Sequence, residues 1–266
     1  MTRILVTGGT GTLGREVVRQ LNAAAYVVRI MSRKSGSAEG VEWTQADLRD
    51  DAGLTAAMND VDVIIHAASG IPLRKIDIDG TEKLIAAARA AQVKHMLYVS
   101  IVGIDKILFA YYKAKLEAEK RIQASAVPWS IVRSTQFHTL PDYVLTTLYR
   151  SPLFFVPTDF QVQPIDPAEV AKRLVAQVAE GASGMIANIG GPEVLTLGAM
   201  AHAWLEVQGL QRRIIHLPLP GKVAQGFRAG LNTAPSHRYG KMSWNEWLQK
   251  TYARQAADPS ASNAGP

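Results

Sequence analysis

There is no cysteine among the 266 residues. Disulfides, thiolate nucleophiles and cysteine-ligated metals are therefore excluded. No uninterrupted apolar run approaches the ~18 residues that a membrane helix requires. The opening "MTRILVTGG" carries an apolar run too short and too early broken for the core of a signal peptide. A cytoplasmic protein without a membrane partner is the expectation. Clustered basic charge is missing as well: the net charge is +6, but Lys and Arg stand singly or in pairs, as at 33–34 and 212–213. Charge scattered in this way gives no nucleic-acid footprint, and it suits attraction of an anionic cofactor. His66, His95 and His138 lack metal-ligand spacing, so no metal site is predicted. No GxSxG occurs, which leaves an α/β-hydrolase unsupported.

What is present is a globular composition, 47% hydrophobic and 20% charged. Short apolar runs at 3–7, 26–31, 41–44, 62–68, 95–100 and 129–133 alternate with helical stretches at 12–23, 51–58, 79–91 and 108–124. Near-continuous apolar strands alternating with helices predict an α/β fold, a Rossmann-type doubly wound parallel sheet. After residue 134 prolines punctuate shorter elements, so residues 1–133 are expected to form the dinucleotide-binding core. Residues 134–255 are expected to form a smaller mixed region covering the substrate, and 256–266 a frayed tail. Ser243 and Glu246 carry the pattern of a helix capping box.

The segment "RILVTGGTGTLGREVVRQL" is the most informative. Gly9, Gly11 and Gly14 satisfy GxGxxG, while Gly8, Gly11 and Gly14 satisfy GxxGxxG. An apolar strand precedes the glycines, and a helix with Leu13, Val17, Val18 and Leu21 on one face follows them. In that context the turn brings backbone amides and a helix N-terminus to a pyrophosphate. The predicted contacts are Gly8, Thr10, Gly11, Thr12, Leu13 and Gly14.

The second strand ends in "RIMSRKSG". Where an NAD site would place an acidic residue, this chain has Ser32, then Arg33 and Lys34, with no carboxylate before Glu39. A ribose 2′-phosphate is a dianion that favours a guanidinium fork. NADP(H) is therefore expected over NAD(H), the other reading being a solvated basic loop.

Taken together, "TGGTGTLG", "ADL" (46–48), "DVIIHAAS" (62–69), "LYVSIVG" (97–103) and "YYKAKLEAE" resemble the short-chain dehydrogenase/reductase superfamily in its atypical NmrA-like branch. Later segments, "PWSIVRSTQF", "PIDPAEVAKRL" and "NIGGPEVLTLGAM", extend the resemblance along nearly the whole chain. The resemblance implies that Asp47 and Leu48 border the adenine and that Ala67, Ala68 and Ser69 meet the ribose. It also implies that Tyr111 exchanges a proton with the substrate oxygen while Lys115 positions the ribose and favours the phenolate. Ser100, at the end of the fifth strand, is the expected third member, although "SIVG" places Ile101 where relatives carry a later serine.

Leu108, Tyr111, Lys115, Ala118 and Ile122 step by three and four, which predicts one inward stripe with a lysine in it. Such a lysine needs an anionic or polar partner: a cofactor ribose, or Glu119 one turn on. Tyr112 falls on the opposing stripe and is expected to pack. Phe137, Leu140, Tyr143, Phe154 and Phe155 are the expected pocket walls.

The function expected is an NADP(H)-dependent oxidoreductase acting on a small carbonyl, quinone or conjugated acceptor. The alternative is an NmrA-like NADP(H)-binding redox sensor without turnover. The expected partners are a small-molecule substrate and, as in relatives whose long helices pair, a second copy in a homodimer.

Overall fold

The structure, a computed structural model, describes residues 1–257. The first elements are β1 (Arg3–Thr7), α1 (Thr12–Ala23), β2 (Val27–Ser32), β3 (Glu42–Gln45), α2 (Leu54–Ala57) and β4 (Val63–His66). After a π-helical turn over Arg74–Asp79 come α3 (Gly80–Ala90), β5 (His95–Ile101), α4 (Ala110–Gln123), β6 (Trp129–Ser134) and α5 (Thr139–Tyr149). Then follow β7 (Phe154–Val156), β8 (Gln161–Val162), α6 (Pro167–Glu180), β9 (Gly184–Met185), β10 (Leu195–Thr196) and α7 (Leu197–Val207). The chain closes with β11 (Ile214–His216), α8 (Lys222–Arg228) and α9 (Trp244–Ala257).

Two compact units emerge. The first comprises Met1–Asp105, Phe109–Arg133 and Pro167–Ala187. Its sheet runs β3-β2-β1-β4-β5-β6-β9, and β1 pairs in parallel with both β2 and β4. The strand order reverses between β1 and β4, which makes the carboxyl ends of these two strands the topological switch point. Ile4, Leu5 and Val6 are completely buried, because β1 is covered on both faces. α1 buries Leu13, Val17, Val18 and Leu21, and each such side chain contributes roughly 1.5–3 kcal/mol. α6 packs in the same unit as α1, where Gln20 Nε2 donates to the Ala168 carbonyl at 2.8 Å. The helix expected over 51–58 shortens to α2, since Gly53 adopts φ 76° and starts it late.

The second unit comprises Lys106–Leu108, Ser134–Asp166 and the chain from Asn188. Its core gathers Leu145, Phe154, Val156, Met200, Trp204, Trp244 and Leu248. Trp204 Nε1 (2.8 Å) and Tyr252 Oη (2.6 Å) both donate to Asp142 Oδ1, tying α7 and α9 to α5. The expected capping box forms: Ser243 N donates to Glu246 Oε2 at 2.8 Å, and Glu246 N to Ser243 Oγ at 3.3 Å.

Phe154 is 1% exposed and belongs to this core, so it does not wall an open pocket as expected. Strand alternation sends Phe155 outward instead. Of the expected tail, Ala256 and Ala257 close α9, and residues 258–266 lie outside the described residues.

Candidate active site

The switch point opens into a cavity of about 660 Å³ in the first unit. Its walls include Gly8, Thr10, Gly11, Ser32, Arg33, Asp47, Leu48, Ala67, Ala68 and Ser69. Ten predicted cofactor contacts are thus brought together. Thr12, Leu13 and Gly14 are not among its walls; Leu13 and Gly14 belong to the packed face of α1. Gly8 needs its glycine for φ 69°, and a Cβ there would come 2.8 Å from Ala68 N. A Cβ on Gly14 would sit 2.0 Å from the Gly8 carbonyl oxygen, so α1 starts directly against the turn.

No side chain caps the N-terminus of α1, and no acidic residue occupies its first turn. The first amides and the dipole are thereby left for an anionic ligand. Together with Arg33 and Lys34 in the same wall, this donor set fits the phosphates of a dinucleotide.

Below the cavity runs a buried chain of hydrogen bonds. Ala68 N donates to Thr7 Oγ1 at 3.3 Å, and Thr7 Oγ1 meets His66 Nδ1 at 2.7 Å. On the other side His66 Nε2 meets Thr81 Oγ1 at 3.0 Å, and Thr81 Oγ1 donates to the Asp77 carbonyl at 2.7 Å. The single hydroxyl proton of Thr81 is committed to that carbonyl, so Thr81 must accept from His66 Nε2–H. The neutral imidazole then accepts the Thr7 proton at Nδ1, and every bond in the chain has one direction. Burial, with the nearby Lys115 charge, lowers His66 to about 3, which keeps it neutral. His66 therefore orders the backbone around Thr7 and Thr81.

That chain ends on the π-helical turn carrying Asp77, a residue the sequence reading did not single out. Its side chain is completely buried. Ser69 Oγ donates to Asp77 Oδ1 at 2.8 Å, and the Gly70 amide donates to Oδ2 at 3.4 Å. The Ser69 hydroxyl also lies 3.2 Å from Tyr111 Oη. Lys115 Nζ sits 4.0 Å from Asp77 Oδ1 and 4.2 Å from the centre of the Tyr98 ring. One cluster thus joins Ser69, Asp77, Tyr98, Tyr111 and Lys115.

α4 supplies two of these groups because Tyr111 and Lys115 are four residues apart on one face. Ala118 and Ile122 continue the face into the core, and Tyr112 packs edge-on against Phe109. Leu108, expected to begin the stripe, precedes the helix and is 64% exposed. Glu119 acts on Lys115 only through its charge, because Arg133 binds both of its oxygens, at 2.9 and 2.7 Å. Burial lowers Lys115 to about 8, with Asp77 and Glu119 opposing the shift. Burial raises the Tyr111 phenol above its ordinary value, Ser69 opposing and Asp77 adding to the rise. A phenol kept protonated in this way can donate a proton.

The serine beside Tyr111 is Ser69, expected as a ribose contact. Ser100 is 1% exposed and its Oγ makes no hydrogen bond. In the second unit His138 is buried and stacks on Trp247 with ring centres 5.5 Å apart. Burial lowers it to about 4, so it too is neutral.

A parallel sheet with this strand order, a glycine turn at its switch point and a basic loop at the next strand end define an NAD(P)-binding protein of the oxidoreductase type. Residues 8–181 match the NAD(P)H-binding family, and the chain belongs to it. It is 32% identical over 209 residues to (4-alkanoyl-5-oxo-2,5-dihydrofuran-3-yl)methyl phosphate reductase of Streptomyces griseus, covering 73% of this chain and 69% of that protein. It is 29% identical over 182 residues to photosystem II assembly factor Ycf39 of Trieres chinensis, covering 64% of this chain and 57% of that protein. Among solved structures, the NADPH-dependent quinone oxidoreductase QOR2 of Escherichia coli, complexed with NADPH, superposes with a TM-score of 0.78. That similarity covers 94% of this chain and 99% of the other at 20% identity. The protein stands among the NAD(P)-dependent oxidoreductases, with a short-chain dehydrogenase/reductase fold.

Proposed function

We propose that the protein is an NADP(H)-dependent reductase of a small carbonyl, quinone or conjugated acceptor. The observation that carries this reading is that Tyr111 and a buried Lys115 lie four residues apart on α4, with Tyr111 Oη 3.2 Å from Ser69 in the wall of the dinucleotide cavity. Gly8, Thr10 and Gly11 would hold the pyrophosphate, and Arg33 with Lys34 a ribose 2′-phosphate. Bound there, NADPH supplies the hydride. Tyr111 Oη gives its proton to the substrate oxygen, a role suited to a phenol kept protonated by burial. The Lys115 cation stabilises the phenolate that remains, and Asp77 holds that cation in place. Ser69 Oγ, 3.2 Å from Tyr111 Oη, orients the phenol.

A second reading, an NADP(H)-binding regulator without turnover, draws on the absence of any hydrogen bond from Ser100 and on the similarity to an assembly factor. The two separate in one assay: NADPH is mixed with a panel of small quinones and unsaturated carbonyls. Consumption of NADPH with any acceptor supports the reductase, and tight binding without consumption across the panel supports the regulator.

A further inference from the structure

Loops rarely hold two cations in place unaided, and the loop after β2 has to do so. Arg33 and Lys34 are both exposed and both line the cavity. Two side chains from β3 reach up to their backbone. Trp43 Nε1 donates to the Lys34 carbonyl at 2.8 Å, and Gln45 Nε2 donates to the Arg33 carbonyl at 3.1 Å. Residues two apart on a strand point to the same face, so β3 presents both donors together. The loop also lies flat on the indole: a Cβ on Gly36 would come 2.5 Å from Trp43 Cζ2. Inside the loop the Lys34 amide donates to Ser32 Oγ at 3.2 Å.

The carboxylate in that wall is kept from interfering. Arg49 pairs with Asp47 at 2.6 Å, and the Arg49 amide donates to Asp47 Oδ1 at 2.9 Å. Asp47 is thus occupied, and the Arg33 guanidinium remains for an external anion.

We propose that Trp43 and Gln45 are positioning residues for cofactor selection: they pin the Arg33–Lys34 backbone so that both cations face the 2′-phosphate of the adenosine ribose. The proposal rests on the NADP(H) preference put forward above. It places part of the specificity on β3, where Gln45 acts through the loop and Trp43 both holds the loop and lines the cavity.

The test is a titration of NADPH and of NADH against the full-length protein and its Trp43→Phe/Gln45→Ala variant. Losing two hydrogen bonds is expected to weaken NADPH about tenfold while NADH changes by less than about twofold. Gln45→Ala, at an exposed position, carries the same test alone with a smaller shift in the ratio. Gly36→Ala, which pushes the loop off the indole, should shift the ratio in the same direction. In an Arg33→Ala background the double substitution should add little, because the clamp acts through that guanidinium. Equal weakening of both cofactors, or an unchanged ratio, would overturn the proposal. A wild-type protein that does not prefer NADPH would instead refute the NADP(H) reading, and the clamp with it.

Discussion

Lys115 and Asp77 form a buried pair, Nζ 4.0 Å from Oδ1, with side-chain exposures of 4% and 0%. At that separation the attraction is Coulombic rather than a hydrogen bond. The carboxylate is fixed independently, by Ser69 and Gly70 at its oxygens and by Thr81 at its carbonyl. Its place is therefore set before the cation arrives. On the proposed reading a cofactor ribose would have only to meet Lys115.

The burial of Lys115 makes stability depend on pH in a stated window. Burial lowers Lys115 from 10.5 to about 8. Between those values the unfolded chain holds the extra proton, so this group makes stability rise with pH across the window. That gain is absent below pH 8, where the buried lysine is charged in both states. Lys115→Met should flatten the dependence, measured as the denaturant midpoint on either side of the window.

Asp77→Asn leaves the cation without its carboxylate. Breaking a buried pair in this way costs about 3 kcal/mol, read as a lower denaturant midpoint. It should also move the alkaline limb of the pH–activity profile below that of the wild type, since Lys115 then loses its proton more readily. An unmoved limb would mean that Asp77 does not act through Lys115.

Arg33→Ala should weaken NADPH about ten- to a hundredfold and leave NADH nearly unchanged, the loss expected for a charge-assisted hydrogen bond. The effect should shrink with added salt, because Arg33 is exposed. Isothermal titration of both cofactors at two salt concentrations reads both outcomes.

The Thr7–His66–Thr81 chain gives a stability prediction of its own. Thr81→Val leaves the buried Nε2–H of His66 without an acceptor, which costs about 1–3 kcal/mol. His66 should make the protein more stable at pH 8 than at pH 5, because the unfolded imidazole takes up a proton below its ordinary value of 6.5 while burial holds the folded one neutral down to about 3. Denaturant unfolding of the variant at those two pH values checks both statements.

Local signals account for what the sequence disclosed. β1, the glycine turn and α1 are legible because a buried strand, a tight turn and an amphipathic helix each leave their own residue pattern within twenty positions. The choice of Tyr111 over Tyr112 follows from helical spacing alone, and the structure buries Tyr112 beside Phe109. Asp77 was hidden because "RKIDIDG" looks like the charged start of the next helix. Only the π-helical turn rotates that aspartate inward, and its register leaves no mark on the sequence. The partner of Lys115 stayed open between a cofactor ribose and Glu119 for a related reason. Helical spacing offers Glu119, but Arg133 reaches it from β6 in a pairing that only the folded sheet creates. Ser69 and Tyr111 are 42 residues apart, and the fold makes them neighbours.

The central claim is that Tyr111 donates the proton in a reduction driven by NADPH. The most direct measurement compares wild type with Tyr111→Phe, following NADPH consumption with whichever acceptor the wild type turns over, beside an NADPH titration of both. Loss of general acid catalysis predicts a fall in kcat of roughly 10²–10⁴-fold with NADPH binding within about twofold of wild type. A Tyr111→Phe protein that binds NADPH equally well and retains full turnover would contradict the account.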